Sequence, residues 1–195
     1  MICAPYANGL NLRCVLVRGL SLVLGVCVSS VLYAQSGYEL AFTPYLPVRT
    51  LMQNYQPMRT YLEQRLREPV TLVTASDYKS FNRAVRRRAY DFIVTPANSA
   101  YMAHAEFGYI PLLRPVNATR PSVVVPIGSA INSLKELRGA VITLPDPLAM
   151  VSMQALPMLR AAGLDPEADL TLRHMPNHSA AVNFVLSGEA AAAII

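Results

Sequence analysis

The chain has 195 residues, 53% of them hydrophobic and 15% charged, with a formal charge of +5. A chain this apolar buries much of itself in one or two domains, which excludes a disordered segment. Without Arg13 and Arg18 the charge is about +3, too little to argue for nucleic acid, and three cysteines at 3, 14 and 27 make no disulfide framework.

Residues 1–34 read as an export signal. Arg13 and Arg18 supply positive charge, Gly19–Leu32 an apolar run, and Ala34 a small residue at the cut. An uncleaved anchor facing the periplasm is the alternative, although the run falls short of the ~20 residues a spanning helix needs. Past the leader no cysteine remains, which suits an oxidising compartment.

Beyond it, strands and helices alternate. Tyr38–Thr43 reads as a strand, Pro44–Pro47 as a turn, and Leu51–Leu66 as an amphipathic helix with Met52, Tyr55, Met58, Tyr61, Leu62 and Leu66 facing the core. Pro69–Thr74 follows as a strand, then a helix capped by Ser76 or Asp77 and running to about Arg88. The Arg86-Arg87-Arg88 run complements that helix's C-terminal dipole. Asp91–Thr95 is a third strand, Ala100–Glu106 a helix, and Tyr109–Arg114 a further strand. After Ser122–Pro126, another strand, Ser133-Leu-Lys-Glu136 has the pattern of a capping box and Gly139 ends that short helix. Ala140–Leu144 is a buried strand closed by Pro145-Asp146-Pro147, and Ala149–Ala162 a helix stopped at Gly163. Leu170–His174 is a strand, Asn177-His178-Ser179 a loop, Ala180–Leu186 a helix and Ala190–Ile195 a last strand. This rhythm predicts an α/β fold with parallel strand pairs. In such sheets ligands collect where strands end and helices begin, because helix N-termini offer free N–H groups and partial positive charge.

Catalytic signatures are missing. The chain has no G-x-S-x-G, H-E-x-x-H or phosphate-loop pattern, and Pro176 keeps His174 and His178 off a common helical face. No catalytic, metal or cofactor site is therefore expected.

Several patterns occur in a fixed order: Tyr61-Leu62-Glu63, then P-V-x-L-x-x-A-x-D-Y ending at Tyr78, then S-x-I-x-S-L-x-x-L-R-G from Ser129 to Gly139. Asp146-Pro147 and a helix with an internal proline follow. From about Phe42 to Ile195 the chain resembles the periplasmic phosphate/phosphonate-binding proteins of ABC transporters. The resemblance implies an α/β, two-lobed periplasmic binding protein of type 2, incomplete at its C-terminus. It divides the chain into a signal peptide (1–34), a first lobe lacking its returning elements (35–118) and part of a second lobe (119–195), with Asn117–Pro121 as the crossover. It further implies a periplasmic protein that hands a small anionic or zwitterionic solute to a membrane permease, with Tyr78, Ser122 and His178 lining the cleft. A ligand-sensing domain of a signalling protein such as a histidine kinase is the alternative, and an enzyme on the same fold a third reading.

The departures bear on the ligand. Where the family has a Ser-Thr-Ser run after D-P, this chain has Leu148-Ala149-Met150-Val151-Ser152. The aromatic two residues before Ser122 is Arg120, and the aspartate of the last strand is Ala191. Three lost hydroxyl donors, at roughly 1.5–3 kcal/mol each to a charged oxygen, argue against tight phosphonate binding. Arg120, a planar fork for carboxylate or phosphate oxygens, is expected to grip the ligand instead.

Overall fold

The computed structural model describes residues 1–5 and 37–195. In chain order the first lobe contains β1 (Ile2–Pro5), β2 (Tyr38–Phe42), α1 (Val48–Leu66), β3 (Val70–Thr74), α2 (Tyr78–Arg86), β4 (Phe92–Val94), α3 (Ala97–Phe107) and β5 (Tyr109–Leu113). The second contains β6 (Val123–Val124), a 3-10 turn at Leu134–Leu137, β7 (Val141–Leu144), α4 (Met150–Ala161), β8 (Thr171–His174), α5 (His178–Leu186) and β9 (Ala192–Ile194). Among the described residues the chain passes between lobes once, through residues 114–122, which have no regular structure. Among them, too, no helix is long and apolar enough to cross a membrane.

The two sheets share one plan. The first has the order β3-β2-β4-β1-β5, with β2 parallel to β3 and β4, and β1 antiparallel to β4 and β5. The second has the order β6-β9-β7-β8, with β7 parallel to β8 and β9, and β6 antiparallel to β9. In each, the central strand leads through a helix to one flank, and the next helix returns the chain to the other flank. An antiparallel strand then lies beyond, β1 in the first sheet and β6 in the second, and β5 extends the first sheet further. The parallel pairing follows the predicted alternation of strand and helix.

Strand β1 has no precedent in the sequence reading, which assigns its residues to the leader. Met1 donates through its ammonium to the Thr95 carbonyl at 2.8 Å, and Cys3 is fully buried. A molecule cleaved after Ala34 cannot keep this strand, so the two states exclude each other. Residues 6–34 of the expected leader lie outside the described residues.

Side-chain alternation places the cores. Ala41, Ile93, Cys3 and Tyr109 face Phe81 and Val85 of α2 and Ala100 and Ala103 of α3. On the other face Leu40, Phe42 and Val70 meet Tyr55, Met58 and Leu62 of α1. Tyr61, expected in that core, is instead 56% exposed, with Arg65 lying over its ring. In the second lobe Ile142, Leu144 and Ile194 pack on Val151, Ala155 and Leu159 of α4. On the opposite face Ala193 packs on Ala181 and Val185 of α5.

Helix starts differ most from the sequence reading. Helices α1 and α3 begin directly after Pro47 and Pro96, earlier than periodicity suggests, because a proline at the cap sacrifices no helical hydrogen bond. The loop expected at Asn177-His178-Ser179 is the cap and first turn of α5, since Asn177 accepts from the Ala180 amide at 2.9 Å. The capping box is formed on its acidic side: Glu136 accepts the amides of Asn132 at 2.6 Å and Ser133 at 3.3 Å, which holds its carboxyl below the usual range. Helix α2 ends within the arginine run, with Arg83 and Arg86 in its last turn and Arg88 turning left-handed at φ 54°.

Candidate ligand-binding cleft

The parallel strands of each lobe end along one edge, and the loops leaving those ends meet. After β2 comes Thr43-Pro44-Tyr45; Thr43 donates its hydroxyl to that of Thr95, beyond β4, at 2.8 Å in a buried contact. After β3 comes Asp77, whose carboxylate accepts the Ser80 amide at 2.6 Å and also the Ser76 and Ser80 hydroxyls. Those bonds, the Ser80 amide first, hold the Asp77 carboxyl below its ordinary value. The cap fixes the first residue of α2, Tyr78.

Tyr78 is 1% exposed, and its hydroxyl has no hydrogen-bond partner among the described residues. Burial raises its pKa far above that of a free phenol, and the nearby Asp146 carboxylate and Tyr45 add to the shift. The group is therefore a protonated donor at any physiological pH. A buried hydroxyl without a partner costs about 1–3 kcal/mol, so it marks a place where a partner is missing.

The other lobe supplies the facing loops. Asp146, between β7 and α4, accepts the Leu148 amide at 2.8 Å. The Pro145 carbonyl accepts the buried Ser152 hydroxyl at 3.1 Å and lies 2.8 Å from His174 Nδ1. Ser152 is thus committed to the backbone, and no side chain caps α4. His178, the first residue of α5, donates its amide to the Tyr45 carbonyl across the cleft at 3.1 Å. Its ring meets the Tyr45 ring edge to face, centroids 6.3 Å apart, and burial lowers its pKa. Asn98 and Met153 add a second bridge, 3.4 Å from Nδ2 to Sδ.

Of the four residues singled out in the sequence, Tyr78 and His178 come together around Tyr45. Ser122 exchanges backbone hydrogen bonds of 2.8 and 2.9 Å with Ile195, which sets it at the carboxyl end of β9, on the same side as these loops. Arg120 is exposed on the passage between lobes and has no ion pair among the described residues. The sequence reading missed Tyr45, whose hydroxyl lies 2.9 Å from that of Tyr55, the core residue that stacks on Phe42 at 3.9 Å. The signal was present: Tyr45 follows directly on a strand's carboxyl end, between two prolines. Among the described residues no group of three His, Cys, Asp or Glu side chains could hold a metal.

Two α/β lobes of one strand plan, meeting through the loops at their strands' carboxyl ends, define a two-lobed binding protein of the type 2 periplasmic fold. The family model described as "ABC transporter, phosphonate, periplasmic substrate-binding protein" matches residues 40–195, and the chain belongs to this family. It is a family of transport binding proteins, not of enzymes.

Solved structures share the fold. PhnD1 from Prochlorococcus marinus, in complex with methylphosphonate, superposes with a TM-score of 0.67 at 16% identity, over 83% of this chain and 64% of that one. A binding protein of an ABC phosphonate transporter from Pseudomonas aeruginosa gives 0.65 at 15% identity, over 83% and 57%. The alkanesulfonate-binding protein SsuA from Xanthomonas axonopodis pv. citri, bound to MOPS, gives 0.59 at 20% identity, over 82% and 54%. The chain thus spans less than two thirds of the length of these relatives.

Proposed function

We propose that this chain is the exported substrate-binding component of an ABC importer, taking a small anion or zwitterion between its lobes and presenting it to a membrane permease. In this reading residues 1–34 direct export to the periplasm, and residues 35–118 and 119–195 belong to the two lobes. The observation that carries it is the Tyr78 hydroxyl, buried and unpartnered beside the first turn of a helix. A ligand oxygen there completes the donor and lies near helix ends that favour negative charge.

Asp146 narrows the choice. Its carboxylate raises the Tyr78 pKa, so a second bare negative charge close by is opposed. A zwitterion, or a monoanion held toward His178 and Arg120, meets less repulsion than a dianion. Family membership supports transport over a signalling sensor. The test is calorimetry against methylphosphonate, phosphate, alkanesulfonates, small carboxylates and amino acids. Tyr78→Phe is expected to weaken the best of them about tenfold or more, the loss of one hydrogen bond to a charged group. Undiminished binding by Tyr78→Phe would overturn the reading, and undiminished binding by Arg120→Ala would remove Arg120 from the site.

A further inference from the structure

Asn98, the second residue of α3, reaches across to the other lobe, its Nδ2 lying 3.4 Å from Met153 Sδ on α4. A thioether sulfur accepts and cannot donate, so this contact fixes which end of the carboxamide is the nitrogen. The oxygen, Asn98 Oδ1, is left buried and without a hydrogen-bond partner among the described residues. Thr95 and Ser99, its neighbours in the chain, line a hollow together with Leu148 of the second lobe. Thr95 is also the partner of Thr43, just before Tyr45, so Asn98 stands on the seam that opens into the cleft. Sulfur is a weak acceptor, and the bond to Met153 is readily exchanged once the lobes part.

Two buried polar atoms without partners thus stand at the carboxyl edge of one sheet: the Tyr78 hydroxyl after β3 and Asn98 Oδ1 after β4. Between those strands lies β2, whose loop carries Tyr45. The hydroxyl needs an acceptor, and the carboxamide oxygen needs a donor. We propose that Asn98 is a specificity-determining residue of the cleft, selecting solutes that carry an N–H or O–H donor beside their anionic oxygen. The inference rests on the cleft reading above and adds the class of solute to it. An ammonium or a hydrogen phosphonate gives Oδ1 its missing bond. An alkanesulfonate brings oxygens alone and leaves that acceptor buried and unpaired. A site with a buried polar group rejects an analogue lacking the matching group more strongly than one that merely differs by a methylene.

The experiment is calorimetry of the full chain with matched pairs: glycine against trimethylglycine, and methylphosphonate against methanesulfonate in mildly acid buffer, where the phosphonate keeps a proton. Members of a pair share their net charge and differ in the donor. The donor-bearing member is expected to bind at least about tenfold more tightly. Asn98→Leu should shrink that preference to less than about threefold. Asn98→Asp keeps an acceptor oxygen and should retain the preference for glycine, which guards against a Leu variant that misfolds. Equal binding within the pairs by the wild type overturns the proposal, as does an undiminished preference in Asn98→Leu or a lost one in Asn98→Asp. Tyr78→Phe should weaken both members of a pair alike. Failure of the cleft reading therefore shows as binding indifferent to Tyr78, whereas failure of the Asn98 role leaves the Tyr78 effect in place. Binding of none of these solutes overturns both.

Discussion

The backbone amide of His178 donates to the carbonyl of Tyr45 at 3.1 Å, so one helix start in the second lobe is held by a loop of the first. The bond joins main-chain atoms, and side-chain substitution does not delete it. Parting the lobes breaks it, along with the Asn98–Met153 bridge. Among the described residues the cleft therefore has two hydrogen-bonded ties and the Tyr45–His178 ring contact to give up when a solute enters.

Tyr78→Phe separates stability from binding. The wild-type hydroxyl is buried without a partner, so its removal is expected to stabilise the ligand-free protein by about 1 kcal/mol. The same change should weaken the cleft ligand. Urea denaturation with and without ligand checks both; a destabilised free variant would mean the hydroxyl already has a partner.

Asn177→Ala removes the cap of α5. The loss of its bond to the Ala180 amide is expected to cost about 1 kcal/mol and to loosen His178, the next residue. Thermal melting reads the first effect and the line width of the His178 ring signals the second. Asn177→Asp should retain most of the stability.

His178 gives the protein an acid-sensitive step. Burial lowers its pKa below the ordinary value of about 6.5, so the unfolded chain takes up the proton first as pH falls. The corresponding stability is present above the unfolded pKa and is lost as pH falls from there through the folded one. Stability measured from pH 7 downward should show a loss that His178→Gln lacks. An anion bound at the imidazole should raise the pKa again, which NMR titration with and without ligand detects.

Export is tested by mass. The secreted protein is expected to begin near Gln35, and that form lacks Ile2–Pro5, leaving the facing strands β4 and β5 without their antiparallel partner. Amide exchange at Phe92–Val94 and Tyr109–Leu113 should then be faster than in the intact chain unless another strand takes the place. An intact Met1 in a membrane fraction would favour the anchor.

The parts legible in the sequence were those written locally. Alternating strands, the Asp77 cap and the Asp146 turn all lie within a few residues of the signals that announce them. Tyr78 and His178 were named through the family resemblance, and each follows a cap residue at a strand's end. Tyr45 was passed over because its significance is a contact with His178, 133 positions away in sequence. Strand β1 was illegible for a related reason: only Ile2 in Ile2–Pro5 is a good strand former, and its pairing comes from the gap between β4 and β5. Early helix starts after Pro47 and Pro96 reflect apolar periodicity that fades in the first turn, where Val48 and Arg49 are exposed and Asn98 and Ser99 are polar.

The single passage through residues 114–122 has a practical side. Val116 and Ala118 are exposed on it and neither precedes a proline, so elastase, which cuts after small aliphatic residues, can cut between the lobes without entering either core. Once cut there, the two halves have no covalent link among the described residues, where the loops that form the cleft hold them together. Their co-elution would rise with any solute that bridges those loops, which makes the nicked protein a split reporter for finding the ligand.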